Sequence, residues 1–132
     1  MDIGALHGYV FGFGVIGSWV VIGVWSLVLR LGKREEAPVF WRAVSIAQIL
    51  LAIQLVFGLV LVLTGRRPGP DDDLFTLVFH LTYGVLSPLV VLFFAHKLAR
   101  DGRVNAYSAF AIVGLVNFGL TFRAWQVGVF GS

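Results

Sequence analysis

The chain has 132 residues, 58% of them hydrophobic and only 13% charged, with a formal net charge of +3 and a mean hydropathy of +0.91. A soluble domain of this length cannot bury so large an apolar fraction, so the composition points to an integral membrane protein. The sequence has no cysteine, which excludes disulfides, thiolate metal ligands and a c-type heme attachment motif. The basic residues flank apolar runs as membrane anchors and form no nucleic-acid-binding patch.

One hydrocarbon thickness takes about 20 residues of helix. Four apolar runs reach that length and predict helices over about 3–31, 40–64, 74–98 and 104–129. The runs are continuous rather than alternating, which argues against membrane strands. The first begins Met-Asp-Ile-Gly, without a basic n-region, and is too long for a signal peptide, so it is expected to stay in the mature chain. It carries Gly4, Gly8 and Gly12, a small-residue ladder that serves either close packing within the bundle or a dimer contact. Gly32 to Val39, with Pro38, ends it. The second run holds Gln48 and Gln54, and Gln54, near mid-membrane, is expected to hydrogen-bond between helices. Gly65 to Asp73 is a breaker stretch, and its aspartates Asp71 to Asp73 suit the positive start of the third helix. Asp101-Gly102 makes the third turn, and the fourth run contains Asn117 and Arg123. Short connections favour antiparallel neighbours, so the chain reads as one all-α domain over 1–132, an integral membrane four-helix bundle running up-down-up-down.

Orientation follows from the cations. Arg30, Lys33, Arg34 and Arg42 flank the first connection, and Lys97, Arg100 and Arg103 the third. The other side has Arg66, Arg67 and Arg123, together with Asp2 and Asp71 to Asp73. The bias predicts both termini outside the cell membrane. Trp19, Trp25, Trp41 and Trp125 read as interfacial or packing residues, with Trp19 and Trp25 deep enough to wall a cofactor.

Two histidines then stand out. His7 and His80 each lie a few residues inside helices of the same direction, roughly 6–10 Å below the outer end. Gly58 shares that level on the second helix. On the third, the His80 face continues through Gly84, Ser87 and Pro88; on the first, the His7 face continues through Gly14 and Ser18. Facing imidazoles beside small residues would form a cage for one heme iron, with His7 and His80 as the metal ligands and Gln54, Gly58, Gly84 and Arg123 around the cofactor. Intramembrane ionisable groups are costly and commonly functional. The residues also admit interfacial histidines, a non-heme metal site that lacks further ligands, and a proton relay that lacks acids. His96, near the inner end beside Lys97, reads as an interfacial side chain. Arg123 needs an anion, either a heme propionate or the Asp71 to Asp73 cluster.

Leu6-His7-Gly8 opening a glycine-rich helix, Gln54-Leu-Val-Phe-Gly58 followed by Val62-Leu-Thr64-Gly65, Phe79-His80-Leu81, and Phe118-Gly119 followed by Arg123 together resemble the heme A synthase family. The halves of that family are four-helix bundles with paired histidine ligands. The helix order here is rotated by one, with the Gly…Arg segment last instead of first, and the chain corresponds to half of a synthase. Gly4 stands where the family often has a glutamate implicated in hydroxylation. The resemblance therefore implies heme binding more than catalysis. Three functions follow as expectations. The first is a b-type membrane cytochrome that transfers electrons or handles heme, with a redox partner or respiratory-complex subunits. The second is a half-size heme A synthase-like enzyme acting as a homodimer. The third is a non-heme structural or assembly subunit.

Overall fold

The computed structural model describes residues 2–70 and 73–131. Among these residues the regular elements are all helical, and four helices are long and apolar enough to cross a membrane: α1 (Ile3–Leu31), α2 (Pro38–Leu63), α3 (Leu74–Arg100) and α4 (Ala106–Phe130). Their ends follow local chemistry. The Asp2 carboxylate caps α1 by accepting the Ala5 N–H at 2.7 Å, Asp73 caps α3 through the Phe75 N–H at 3.2 Å, and Asn105 caps α4 through the Tyr107 N–H at 2.9 Å. Gly131 ends α4 with φ 84°, a left-handed cap that suits glycine. Pro38 does not merely end the first connection; it opens α2. Ala37 before it is extended (φ −111°, ψ 140°), as a residue preceding proline prefers, and the first-turn N–H that proline lacks has no partner in a helix anyway. Asp71 and Asp72, expected at the start of α3, lie outside the described residues.

α1 and α4 share the most extensive interface, with α2 packed along α1 and α3 along α4. The α1 and α4 backbones meet at Gly23 and Gly114. A Cβ on Gly23 would lie 3.0 Å from the Leu115 nitrogen, and one on Gly114 would collide with Gly23 itself. Small residues allow this approach. The Gly4–Gly8–Gly12 ladder is not that seam: Gly4 faces the Arg66 guanidinium, Gly12 faces the His7 carbonyl, and Gly8 faces open space.

Trp19, Ile22, Phe40, Val44, Tyr107 and Phe110 fill the half of the molecule next to the α1–α2 connection. Phe40 and Tyr107 meet edge to face at 4.9 Å. The Tyr107 hydroxyl donates to the Glu35 carbonyl at 2.7 Å and accepts the Ala37 N–H at 2.9 Å, tying that connection to the start of α4. The outward faces are apolar, including Val21, Val28, Ile49, Leu59, Phe93 and Ile112.

Two π-helical stretches, Leu6–Phe11 and Thr82–Leu86, interrupt α1 and α3. Pro88 explains the second. It has no N–H for the Gly84 carbonyl and its ring would strike that group in an α-turn, so a wider turn just before it relieves both problems. In the first, the His7 carbonyl accepts the Gly12 N–H five residues on, and also the Gln54 side-chain amide of α2 at 2.9 Å. Such turns recur at functional sites.

Candidate functional site

Both π stretches adjoin a histidine: His7 lies within the first, and His80 stands two residues before the second. Their ring centroids are 5.9 Å apart with planes inclined at 58°. The two rings line one cavity of about 650 Å³ to which all four helices contribute. That volume falls within the range of cofactor and small-molecule sites. Its walls are mainly apolar and include Gly4, Gly8, Gly12, Gly58, Gly84 and Gly128.

Each imidazole rests on a glycine of a neighbouring helix. A Cβ on Gly58 would stand 3.1 Å from His7 Cε1, and a Cβ on Gly128 would stand 2.8 Å from His80 Cε1. Gly58 thus makes room for the His7 ring, and it also lines the cavity. Gly128, which sequence reasoning did not single out, does the same for His80. Nothing in the string Val127-Gly128-Val129 distinguishes it from the chain's other helical glycines. Gly84 lines the wall, where a Cβ would lie 3.3 Å from that of Ala124.

The imidazoles are held differently. His80 Nδ1 is 2.8 Å from the Ala124 carbonyl. A carbonyl can only accept, so Nδ1 carries the proton and donates it, which leaves the Nε2 lone pair available to a metal. His7 Nδ1 is buried without a hydrogen-bond partner, and the residue is fixed through its backbone by Gln54. Gln54 and Trp125 also line the cavity, and Gln54 Oε1 and Trp125 Nε1 are likewise buried and unpartnered.

Among the described residues no group of three or more His, Cys, Asp or Glu side chains is placed to hold a metal ion. An ion bound by protein ligands alone needs about four donors. Heme brings its own four equatorial nitrogens and needs only two axial ones. Bonds of about 2 Å from one metal to two opposed imidazoles put the ring centroids roughly 6 Å apart, against 5.9 Å here. The donor set and its spacing therefore fit heme.

Several sequence expectations place differently. Arg123 is exposed and absent from the cavity wall, which α4 builds from Thr121, Ala124, Trp125 and Gly128. Its depth was readable, but two residues from Thr121 is about 200° around a helix, so its side chain leaves on the far side. The cations at the cavity are Arg66 and Arg67, in the stretch after α2. Gly14 and Ser18 are also off the wall. The π turn inserts a residue, so the His7 face continues through Gly12, Val15 and Ile16. Ser87 and Pro88 are off the wall as well, and Pro88 is buried in the packing of α3. Trp19 is sealed in the core and Trp25 packs against it, so neither walls the cavity; Trp125 does. His96 is half-buried, 3.0 Å from Gln48 Nε2 and stacked on Trp41, so it is an interhelical contact rather than a free interfacial side chain.

No family model matches the chain, and neither a curated protein nor a solved structure matches it. The functional reading rests on the site.

Proposed function

We propose that this chain is an integral membrane b-type cytochrome in which His7 and His80 bind one heme as axial ligands. The observation that carries the reading is the pair of imidazoles 5.9 Å apart across a glycine-lined cavity, with no third protein ligand among the described residues. When bound, heme would supply one-electron redox chemistry, and ligation by two histidines fills both axial positions and so favours electron transfer over oxygen activation.

The protein's contribution is positioning. The Ala124 carbonyl orients His80, Gln54 holds the His7 main chain, and Gly58 and Gly128 admit the two rings. The walls around them are mainly apolar. The resemblance to the heme A synthase family supports heme binding, while Gly4 at the position of the family's glutamate speaks against hydroxylation by this chain. An enzyme acting as a homodimer is the second reading and a non-heme assembly subunit the third.

The apolar exterior and four long apolar helices support insertion in a bilayer. The short connections support an up-down-up-down course, and the cation bias supports a cell-membrane location with both termini outside, the heme lying toward the outer face.

Reduced-minus-oxidised spectra of the purified chain test the proposal. The parent is expected to give a low-spin heme spectrum. His7→Ala and His80→Ala should each abolish or convert it, and His96→Ala should leave it intact. An unchanged bis-histidine spectrum in His80→Ala overturns the ligation. Pyridine hemochrome and product analysis separate a cytochrome from a heme-modifying enzyme.

A further inference from the structure

The cavity has an apolar body and a cationic rim. Arg66 and Arg67 line it, on the segment that leaves α2. The segment is anchored, because the Gly69 N–H donates to the Gly128 carbonyl at 2.7 Å, on the same glycine that receives His80. The Arg66 guanidinium lies over Gly4, where any Cβ would meet it. Its Nη1 is 3.8 Å from the Asp2 carboxylate, and both side chains are more than half exposed. A long, exposed ion pair is weak and exchanges readily for a better anion. Asp2 has a second commitment: the Ala5 N–H, and after it the Arg66 charge, hold its carboxyl below the usual range, so it is anionic at neutral pH.

Heme is an apolar disc with two carboxylates on one edge. Heme held by His7 and His80 would occupy the cavity they line, and its carboxylate edge would need a cation at the wall. Arg123, on the outer face of α4, cannot supply it. We propose that Arg66 pairs with a propionate of the bound macrocycle and that Asp2 competes with that propionate for the same guanidinium, an inference that rests on the heme reading above. Arg66 is then a positioning residue for the cofactor, and the Asp2–Arg66 pair is the resting arrangement that heme displaces. Arginine suits this role because its planar fork matches a carboxylate.

The two partners predict opposite signs. The purified full chain in lipid nanodiscs is loaded with heme b or with its dimethyl ester, which keeps the disc and removes both charges. Loss to a soluble apo-hemoprotein scavenger is then timed. Arg66→Gln is expected to lose heme b roughly three- to tenfold faster than the parent, a modest factor because the site is partly solvated. Asp2→Asn keeps the helix cap and removes the competing charge, so it should lose heme b more slowly. Arg66→Lys should retain most of the parent's hold. With the ester all four chains should behave alike. Equal acceleration of heme b and ester loss by Arg66→Gln, or faster heme b loss from Asp2→Asn, overturns the pairing while leaving histidine ligation standing. A parent chain that takes up neither macrocycle overturns the heme reading and this one with it.

Discussion

His80 and Gly128 show how little freedom the site leaves a single residue. A Cβ on Gly128 would stand 2.8 Å from His80 Cε1, and the ring cannot swing away without breaking its 2.8 Å bond to the Ala124 carbonyl. Gly128→Ala should therefore displace the imidazole, weaken heme retention and cost about 1–3 kcal/mol of stability, the usual range for overpacking. Gly17→Ala is the control. Gly17 is exposed and a Cβ there meets nothing within 4 Å, so removing a helical glycine should gain up to about 1 kcal/mol. Chemical unfolding in detergent and the absorption spectrum read both effects, and matching behaviour of the two variants would sink the steric argument. The histidines themselves were legible because they are the rare ionisable groups in apolar runs. Their glycine seats were only half legible: depth along a helix follows from counting, but direction around it depends on which neighbour is there.

The π turns mark where counting fails at the level of an element. Helix lengths and approximate ends follow from hydrophobic runs and breakers, and the four runs appear as four helices displaced by only a few residues. A wide turn adds one residue, about 100° of rotation, so a face extrapolated from His7 at the ordinary period arrives at Gly14 and Ser18 instead of Gly12, Val15 and Ile16. Pro88 in the third run was a readable cue for its π turn; the first has its His7 carbonyl bonded to Gln54 of another helix and had no local signal. Gln54 was expected to bridge helices, and it does so through the His7 carbonyl. Gln54→Leu removes that bond and also a buried, unpartnered Oε1. The two effects oppose each other, so the stability loss should stay below about 1 kcal/mol. The spectrum of the proposed heme should nevertheless shift, because the His7 backbone loses its only clamp from α2 among the described side chains. A spectrum identical to the parent's would mean that the π turn holds His7 without help.

At the scale of the whole molecule, packing and charge are both lopsided. Large aromatic side chains fill the half next to the α1–α2 connection, whereas the half that holds His7 and His80 is hollow and lined by glycine. The cations are biased toward the packed half, at Arg30, Lys33, Arg34, Arg42, Lys97, Arg100 and Arg103. Positive flanks stay on the cytoplasmic side, which would put the hollow half, and the proposed heme, toward the outside. Arg66, Arg67 and Arg123 lie toward the other side, and cysteine labelling measures the orientation directly. The chain has no native cysteine, and Arg34, Asp73 and Arg103 are exposed positions in connections. Arg34→Cys and Arg103→Cys should resist a membrane-impermeant thiol reagent in intact cells and react after permeabilisation, while Asp73→Cys should react without it. Replacing Asp73 costs a helix cap, about 1 kcal/mol, which is small enough to leave the fold in place. The reverse labelling pattern would turn the hollow half toward the cytoplasm and assign the electron donor or acceptor to that side instead.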